Sequence, residues 1–230
     1  MKTIGLIGGM SWESTASYYT LINQKVKAEL GGLHSAKIGL YSVDFAEIEA
    51  LQHANKWDEA ALILIDAAKR LEAAGTDFIV ICTNTMHKLY DQIQAETSLP
   101  IIHIADATAE QLKEDGIHKV GLLGTRFTME EDFYKNRLQS VHGIDVLIPN
   151  EEDMQSVHNI IYKELCLGRV ESASRETYIT IIDRLYEQGA QAVILGCTEI
   201  ALLVRQNHTF VTLYDTTQIH AESAVDIALT

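Results

Sequence analysis

Proline is nearly missing from this chain: Pro100 and Pro149 are the only two in 230 residues, where ordinary usage of about 5% would give about 11. Long irregular loops are excluded, and most of the chain must be helix or strand. Basic residues are also scarce, 18 Lys and Arg against 32 Asp and Glu for a net charge of −14, and they are scattered singly. That sign and scatter exclude counterion-driven binding to nucleic acid or to an anionic membrane surface. A small anionic ligand stays open, because a recessed site answers to its local donors and helix ends. No run reaches 18 apolar residues, so no membrane span is expected, and the N-terminal IGLIGG is too short for the core of a signal peptide. Cysteine is limited to Cys82, Cys166 and Cys197, an odd number without CxxC spacing, which predicts free thiols in a cytoplasmic setting. The histidines form no HExxH and no pair beside Cys or Asp at ligand spacing, so no metal is expected. Gly5, Gly8 and Gly9 do not make G-x-G-x-x-G, which argues against a nucleotide cofactor.

What is present are short uninterrupted apolar runs, the pattern of strands buried on both faces of a parallel sheet. They lie at Thr3–Ile7, Lys37–Ser42, Phe78–Ile81, Ile101–Ile102, Val120–Leu123, Asp145–Ile148, Val193–Leu195 and Thr212–Tyr214. Between them run amphipathic segments, Trp57–Ala74 with Leu62, Ile65, Ala68 and Leu71, and Ser174–Gln188 with Tyr178, Ile181, Ile182 and Leu185, on the 3.6-residue period. The alternation predicts an α/β fold with parallel sheets. Met86, Met129, Tyr18 and Tyr134 read as core or cleft wall.

The chain also echoes itself. KVGLLG at Lys119–Gly124 repeats TIGLIG at Thr3–Gly8, with Gly121 lying 116 residues after Gly5 and Tyr134 the same distance after Tyr18. GAQAVIL from Gly189 repeats GTDFIVI from Gly75, 114 residues on. Two echoes at nearly one offset predict two similar α/β halves related by a pseudo-two-fold, residues 1–103 plus 207–230 and residues 104–206. Ligands of such sheets bind at the C-terminal strand ends, here in an interdomain cleft.

Extending the second echo without a gap pairs Cys82 with Gly196, Thr83 with Cys197 and Asn84 with Thr198. Each triplet follows a buried strand. A cysteine at such a turn is expected to feel the next helix N-terminus, which favours its thiolate. Free cysteine is also a common core residue, and that reading is kept for Cys166. Beside Cys82 and Cys197, however, stand Thr, Asn and Glu, which are poor core choices and good hydrogen-bonding groups.

The stretches GGMSWEST (8–15), CTNTMH (82–87), LLGT (122–125) and GCTEI (196–200) together resemble the cofactor-independent aspartate/glutamate racemase family, in order and over essentially the whole chain. The resemblance implies two Rossmann-like α/β halves, no cofactor, a homodimer, and an acidic amino acid held between two cysteines, one per half. Cys197 matches the second-half cysteine; the first-half position is Thr83, because the family's Cys-Asn-Thr falls on Thr83-Asn84-Thr85. The implied activity is racemisation of aspartate or glutamate, with Cys197 removing the Cα proton of the L enantiomer and the weakly acidic Thr83 on the opposite face. Turnover from the D side is then weak or absent.

Removing a Cα proton without a cofactor requires donors at the α-carboxylate. The candidates are Gly9, Met10, Ser11, Asn84, Thr85, Thr125 and Thr198; Ser, Thr and Asn there also serve as ordinary helix caps. Glu199 either accepts from the Cys197 thiol or caps its own helix, and the cap is the expected role. His87 is read as a structural donor. The family's distal-carboxylate arginine has no counterpart in DFAEIEALQHANKW, which leaves Gln52, His53 and Lys56. An arylmalonate decarboxylase-like or hydantoin racemase-like enzyme, or an amino-acid binder whose chemistry has lapsed, are the alternatives.

Overall fold

A computed structural model describes residues 1–230. In chain order the elements are β1 (Ile4–Gly8), α1 (Trp12–Leu30), β2 (Ile38–Ser42), α2 (Phe45–His53), α3 (Trp57–Ala73), β3 (Phe78–Ile81), α4 (Tyr90–Gln94) and β4 (Ile101–Ile102). Then come α5 (Ile104–Glu114), β5 (Lys119–Gly124), α6 (Arg126–Glu130), α7 (Asp132–Asn136), β6 (Asp145–Leu147), α8 (Glu151–Lys163), α9 (Ser172–Glu187), β7 (Ala192–Gly196), α10 (Ile200–Leu203), β8 (Thr212–Asp215) and α11 (Thr216–Leu229). No helix is long and apolar enough to cross a membrane.

The strands form two four-stranded parallel sheets, ordered β2-β1-β3-β4 and β6-β5-β7-β8. This is one topology written twice, and it is the α/β architecture expected from the alternation of runs. The register carries both sequence offsets at once: Gly5 pairs with Ile79 as Gly121 pairs with Val193, and Ile7 with Ile81 as Leu123 with Leu195. Gly5 and Gly121 lie under close neighbours, a side chain of the turn between α3 and β3 in one sheet and one of α9 in the other. A Cβ would stand 2.8 Å from Thr76 Oγ1 in one sheet and 2.9 Å from Leu185 Cδ1 in the other.

The chain divides into two compact units, Met1–Ile104 with His220–Thr230, and Ala105–Ile219. This corrects the expected return at residue 207. Thr212–Asp215 pairs with β7 as the edge of the second sheet, so the segment before it stays in the second unit and α11 carries the chain back. The core of the first unit joins Ile4, Leu6, Tyr18, Ile22, Phe78 and Val80 to Ala221, Ala224 and Val225 of α11. In the second unit Leu123, Val193 and Leu195 pack on Val157, Ile161, Tyr178, Ile181 and Leu185. A fully buried aliphatic side chain of this kind contributes about 1.5–3 kcal/mol. Met86, Met129, Tyr18 and Tyr134 are core residues with no exposed surface.

Candidate active site

In the first unit, two turns at C-terminal strand ends and the helix α2 carry the candidate residues. After β1 the chain turns through Gly9, Met10 and Ser11. Gly9 has φ +90°, and a Cβ there would lie 2.1 Å from the Val43 carbonyl oxygen, so no other residue fits. Its N–H is already committed to Thr15 Oγ1 at 2.8 Å. Ser11 caps α1, its hydroxyl accepting from the Ser14 N–H at 3.3 Å. Met10 is buried.

After β3, Cys82 is fully buried in the core of its unit, and burial pushes its thiol pKa far up. Thr83, one residue on, is half-buried, as the alternation of a strand end requires. Asn84 and Thr85 follow, both buried, and open a short 3₁₀ turn that runs to Leu89. His87 anchors this turn. The Ile104 N–H donates to Nε2 at 3.2 Å, so the ring proton sits on Nδ1 and is donated to the Thr83 carbonyl at 2.8 Å. His87 is thus the structural donor expected of it, fixing the Thr83 backbone.

Of the three residues proposed for a distal carboxylate, only Gln52 faces inward. It is buried, its Nε2 lies 2.9 Å from Met86 Sδ, and its Oε1 meets no partner. His53 is bound to Glu49 at 3.0 Å and Lys56 to Glu59 at 2.8 Å, both on exposed surface. The Met86 contact sets Gln52 beside the Thr83–Thr85 turn.

In the second unit Thr125 caps α6, accepting from the Thr128 N–H at 3.4 Å. The turn after β7 holds Cys197, Thr198 and Glu199. Cys197 is 9% exposed and Glu199 6%. The thiol donates to Glu199 Oε2 at 3.0 Å, and the Thr198 hydroxyl donates to the same oxygen at 2.6 Å. Glu199 stands at the N-cap position of α10 without a side-chain cap hydrogen bond, and its Oε2 accepts from the thiol. The expected thiolate is corrected. Burial first, and the Glu199 charge second, hold the Cys197 thiol pKa well above its ordinary value, and the four-residue α10 is too short to offset them.

Thr83 and Cys197 each stand two residues beyond a paired strand position, Ile81 and Leu195, that the register makes equivalent. The sequence matches the Asp/Glu/hydantoin racemase family over residues 7–224. The chain belongs to that family. Among its relatives is the broad specificity amino-acid racemase RacX of Bacillus subtilis (strain 168), 24% identical over 98% of both chains. Similar solved structures include a candidate Asp/Glu racemase from Yersinia pestis, 57% identical over all of both chains with a TM-score of 0.94. An aspartate racemase homologue from Pyrococcus horikoshii OT3 is 35% identical over all of both chains, with a TM-score of 0.88. The family's two-half architecture is the one seen here. No group of three or more His, Cys, Asp or Glu side chains stands ready to hold a metal ion.

Proposed function

We propose that this member of the family is a cofactor-independent racemase of acidic amino acids, aspartate or glutamate, in which Cys197 takes the Cα proton of the L enantiomer and Thr83 serves the opposite face. The observation that carries the proposal is the strand register, which makes the Thr83 and Cys197 positions equivalent in the two units. A threonine hydroxyl is far less acidic than a thiol. The pair is therefore one-sided: Cys197 is the working base and Thr83 a donor or an orienter of water.

Beside each of these two groups, within its own unit, the polar side chains suit an amino acid. Asn84 and Thr85, both buried, supply donors for an α-carboxylate, where charge grows as the Cα proton leaves, while the Thr198 hydroxyl proton is already given to Glu199. Gln52 offers an unpaired buried oxygen beside the Thr83 turn. An aryl substrate would want an apolar wall in those places, which favours the amino acid over arylmalonate-type chemistry. The protein acts as a homodimer in this reading.

The test is turnover from each enantiomer. Incubation with L-aspartate or L-glutamate in D₂O gives deuterium at Cα, while the D enantiomers exchange slowly or not at all. Equal exchange from both enantiomers contradicts the sided assignment, and no exchange from any of the four leaves an amino-acid binder without chemistry.

A further inference from the structure

The second unit also holds a cavity of about 290 Å³, walled by β7, α10, β8 and the start of α11, and none of Thr125, Cys197 or Thr198 lines it. That volume lies at the small end of ligand pockets, which run from about 300 to 1,000 Å³, and gives room for a molecule of amino-acid size. The wall is apolar at Leu195, Val204 and Leu213 and carries two charges of opposite sign, Arg205 and Asp215. We infer that this cavity binds an α-amino acid with an aliphatic side chain, as the zwitterion, at a place separate from the Cys197 turn. Its carboxylate rests on Arg205, its ammonium group on Asp215 and its side chain against Leu195, Val204 and Leu213.

The arginines carry the first part of the argument. The chain has seven, and six are held. Arg70, Arg126, Arg137 and Arg184 donate to carboxylates, while Arg169 and Arg175 donate to the Lys163 and Leu203 carbonyls. Arg205 is exposed, and no acid or carbonyl holds its guanidinium, although acids outnumber bases 32 to 18. A guanidinium left over in a cavity wall is a carboxylate receptor, because its planar fork matches that group.

The opposite charge is fixed in place. Asp215 Oδ1 accepts from the Thr217 and Gln218 N–H groups at 2.9 and 3.3 Å, and a carboxylate has about four acceptor positions, so an ammonium group can be added. The wall between the two charges is braced by Gln206. Its amide donates to the Thr209 and Val211 carbonyls at 3.2 and 3.0 Å, and its oxygen accepts from the Leu213 N–H at 2.9 Å. The cavity is therefore preformed, which spares a ligand the cost of ordering that loop.

The same wall selects the side chain. A second carboxylate, as in aspartate or glutamate, would lose water against Val204 and Leu213 or meet the like charge of Asp215. An aliphatic chain gains by the burial.

Isothermal titration calorimetry on the full chain tests this with L-leucine, with 4-methylpentanoate, which lacks the ammonium group, and with 3-methylbutylamine, which lacks the carboxylate. Leucine should show one Arg205-dependent binding event per chain, and each truncated compound should bind about fivefold or more weakly, the scale of a partly exposed charge pair. Arg205→Ala removes an exposed side chain and leaves the core untouched. It should weaken leucine about fivefold or more and 3-methylbutylamine less than about twofold, because only a carboxylate meets Arg205. Saturating L-aspartate should leave the leucine affinity within about twofold. Leucine displaced by aspartate, leucine affinity unmoved in Arg205→Ala, a truncated compound binding as tightly as leucine, or no saturable leucine binding overturns the inference. The racemase reading falls separately: a chain that exchanges neither acidic amino acid fails that reading, and the leucine titration still decides the cavity.

Discussion

Tyr18 donates its hydroxyl proton to Nδ1 of His220 at 2.9 Å, while Nε2 of the same ring donates to the Ile102 carbonyl at 3.0 Å. Both assignments follow from the carbonyl, which can only accept. The ring is fully buried against His87 at 5.6 Å between centroids, and it ties α11 to α1 and β4. Burial first, then the proximity of His87, push its pKa from 6.5 to about 3.

That depression makes a prediction about acid stability. The unfolded chain binds a proton on His220 below pH 6.5 that the folded chain refuses, so the contribution is fully present above 6.5 and is lost as pH falls toward the folded value. The loss is about 1.4 kcal/mol per pH unit. Between pH 6.5 and 5, wild type should lose about 2 kcal/mol that His220→Gln does not lose, measured by urea unfolding at each pH. Parallel curves for the two proteins would show that His220 titrates normally.

Gly9→Ala should cost about 2–4 kcal/mol of stability. The positive φ disfavours any Cβ, and this one would lie 2.1 Å from Val43 O and 2.7 Å from Val43 N, backbone atoms that cannot swing away. Chemical denaturation reads the cost. A loss below about 1 kcal/mol would mean that the turn relaxes freely.

Asp106 accepts from Arg137 Nε at 2.6 Å and Nη2 at 2.7 Å, and from His142 Nε2 at 2.8 Å. Burial alone would raise its pKa, but the hydrogen bonds from Arg137 and His142 outweigh it and hold the carboxyl below its ordinary 3.8. Its stabilisation is therefore present above pH 3.8 and lost as pH falls through the folded value. Asp106→Asn should cost about 1–2 kcal/mol at pH 7, less than a fully buried pair because the site is partly exposed. A double-mutant cycle with Arg137→Gln measures the coupling, and an additive cycle would contradict it.

The fold was legible because its signals are local and repeated. Uninterrupted runs such as FIVI and AVILG are buried throughout, and the twin offsets reappear as twin strand registers. For Thr212–Asp215 no local signal says which sheet an edge strand joins; only the long-range pairing with β7 does. The candidate turns were legible for the same reason as the fold, since a strand end fixes which of two neighbouring side chains leaves the core, Thr83 rather than Cys82. The state of Cys197 was not legible. The helix expected to favour a thiolate is four residues long, and the bend that brings Glu199 back onto Sγ depends on backbone angles that composition does not report.

Gln52 should show the separation of stability from function that a binding residue shows. Its Oε1 is buried without a partner, which costs stability in the free protein. Gln52→Leu should leave the melting temperature unchanged or raise it, while raising KM for the acidic amino acid about tenfold or more. A destabilised variant with unchanged KM would make Gln52 a packing residue.

The central claim, that Cys197 and Thr83 are the two sided groups of one reaction, is tested most directly by following L-aspartate and L-glutamate in D₂O with chiral separation of the products. Wild type should deuterate Cα, Cys197→Ala should abolish exchange, and Thr83→Ala should keep exchange from the L side while losing inversion to the D product. Exchange that survives in Cys197→Ala, or inversion that survives in Thr83→Ala, would contradict the account.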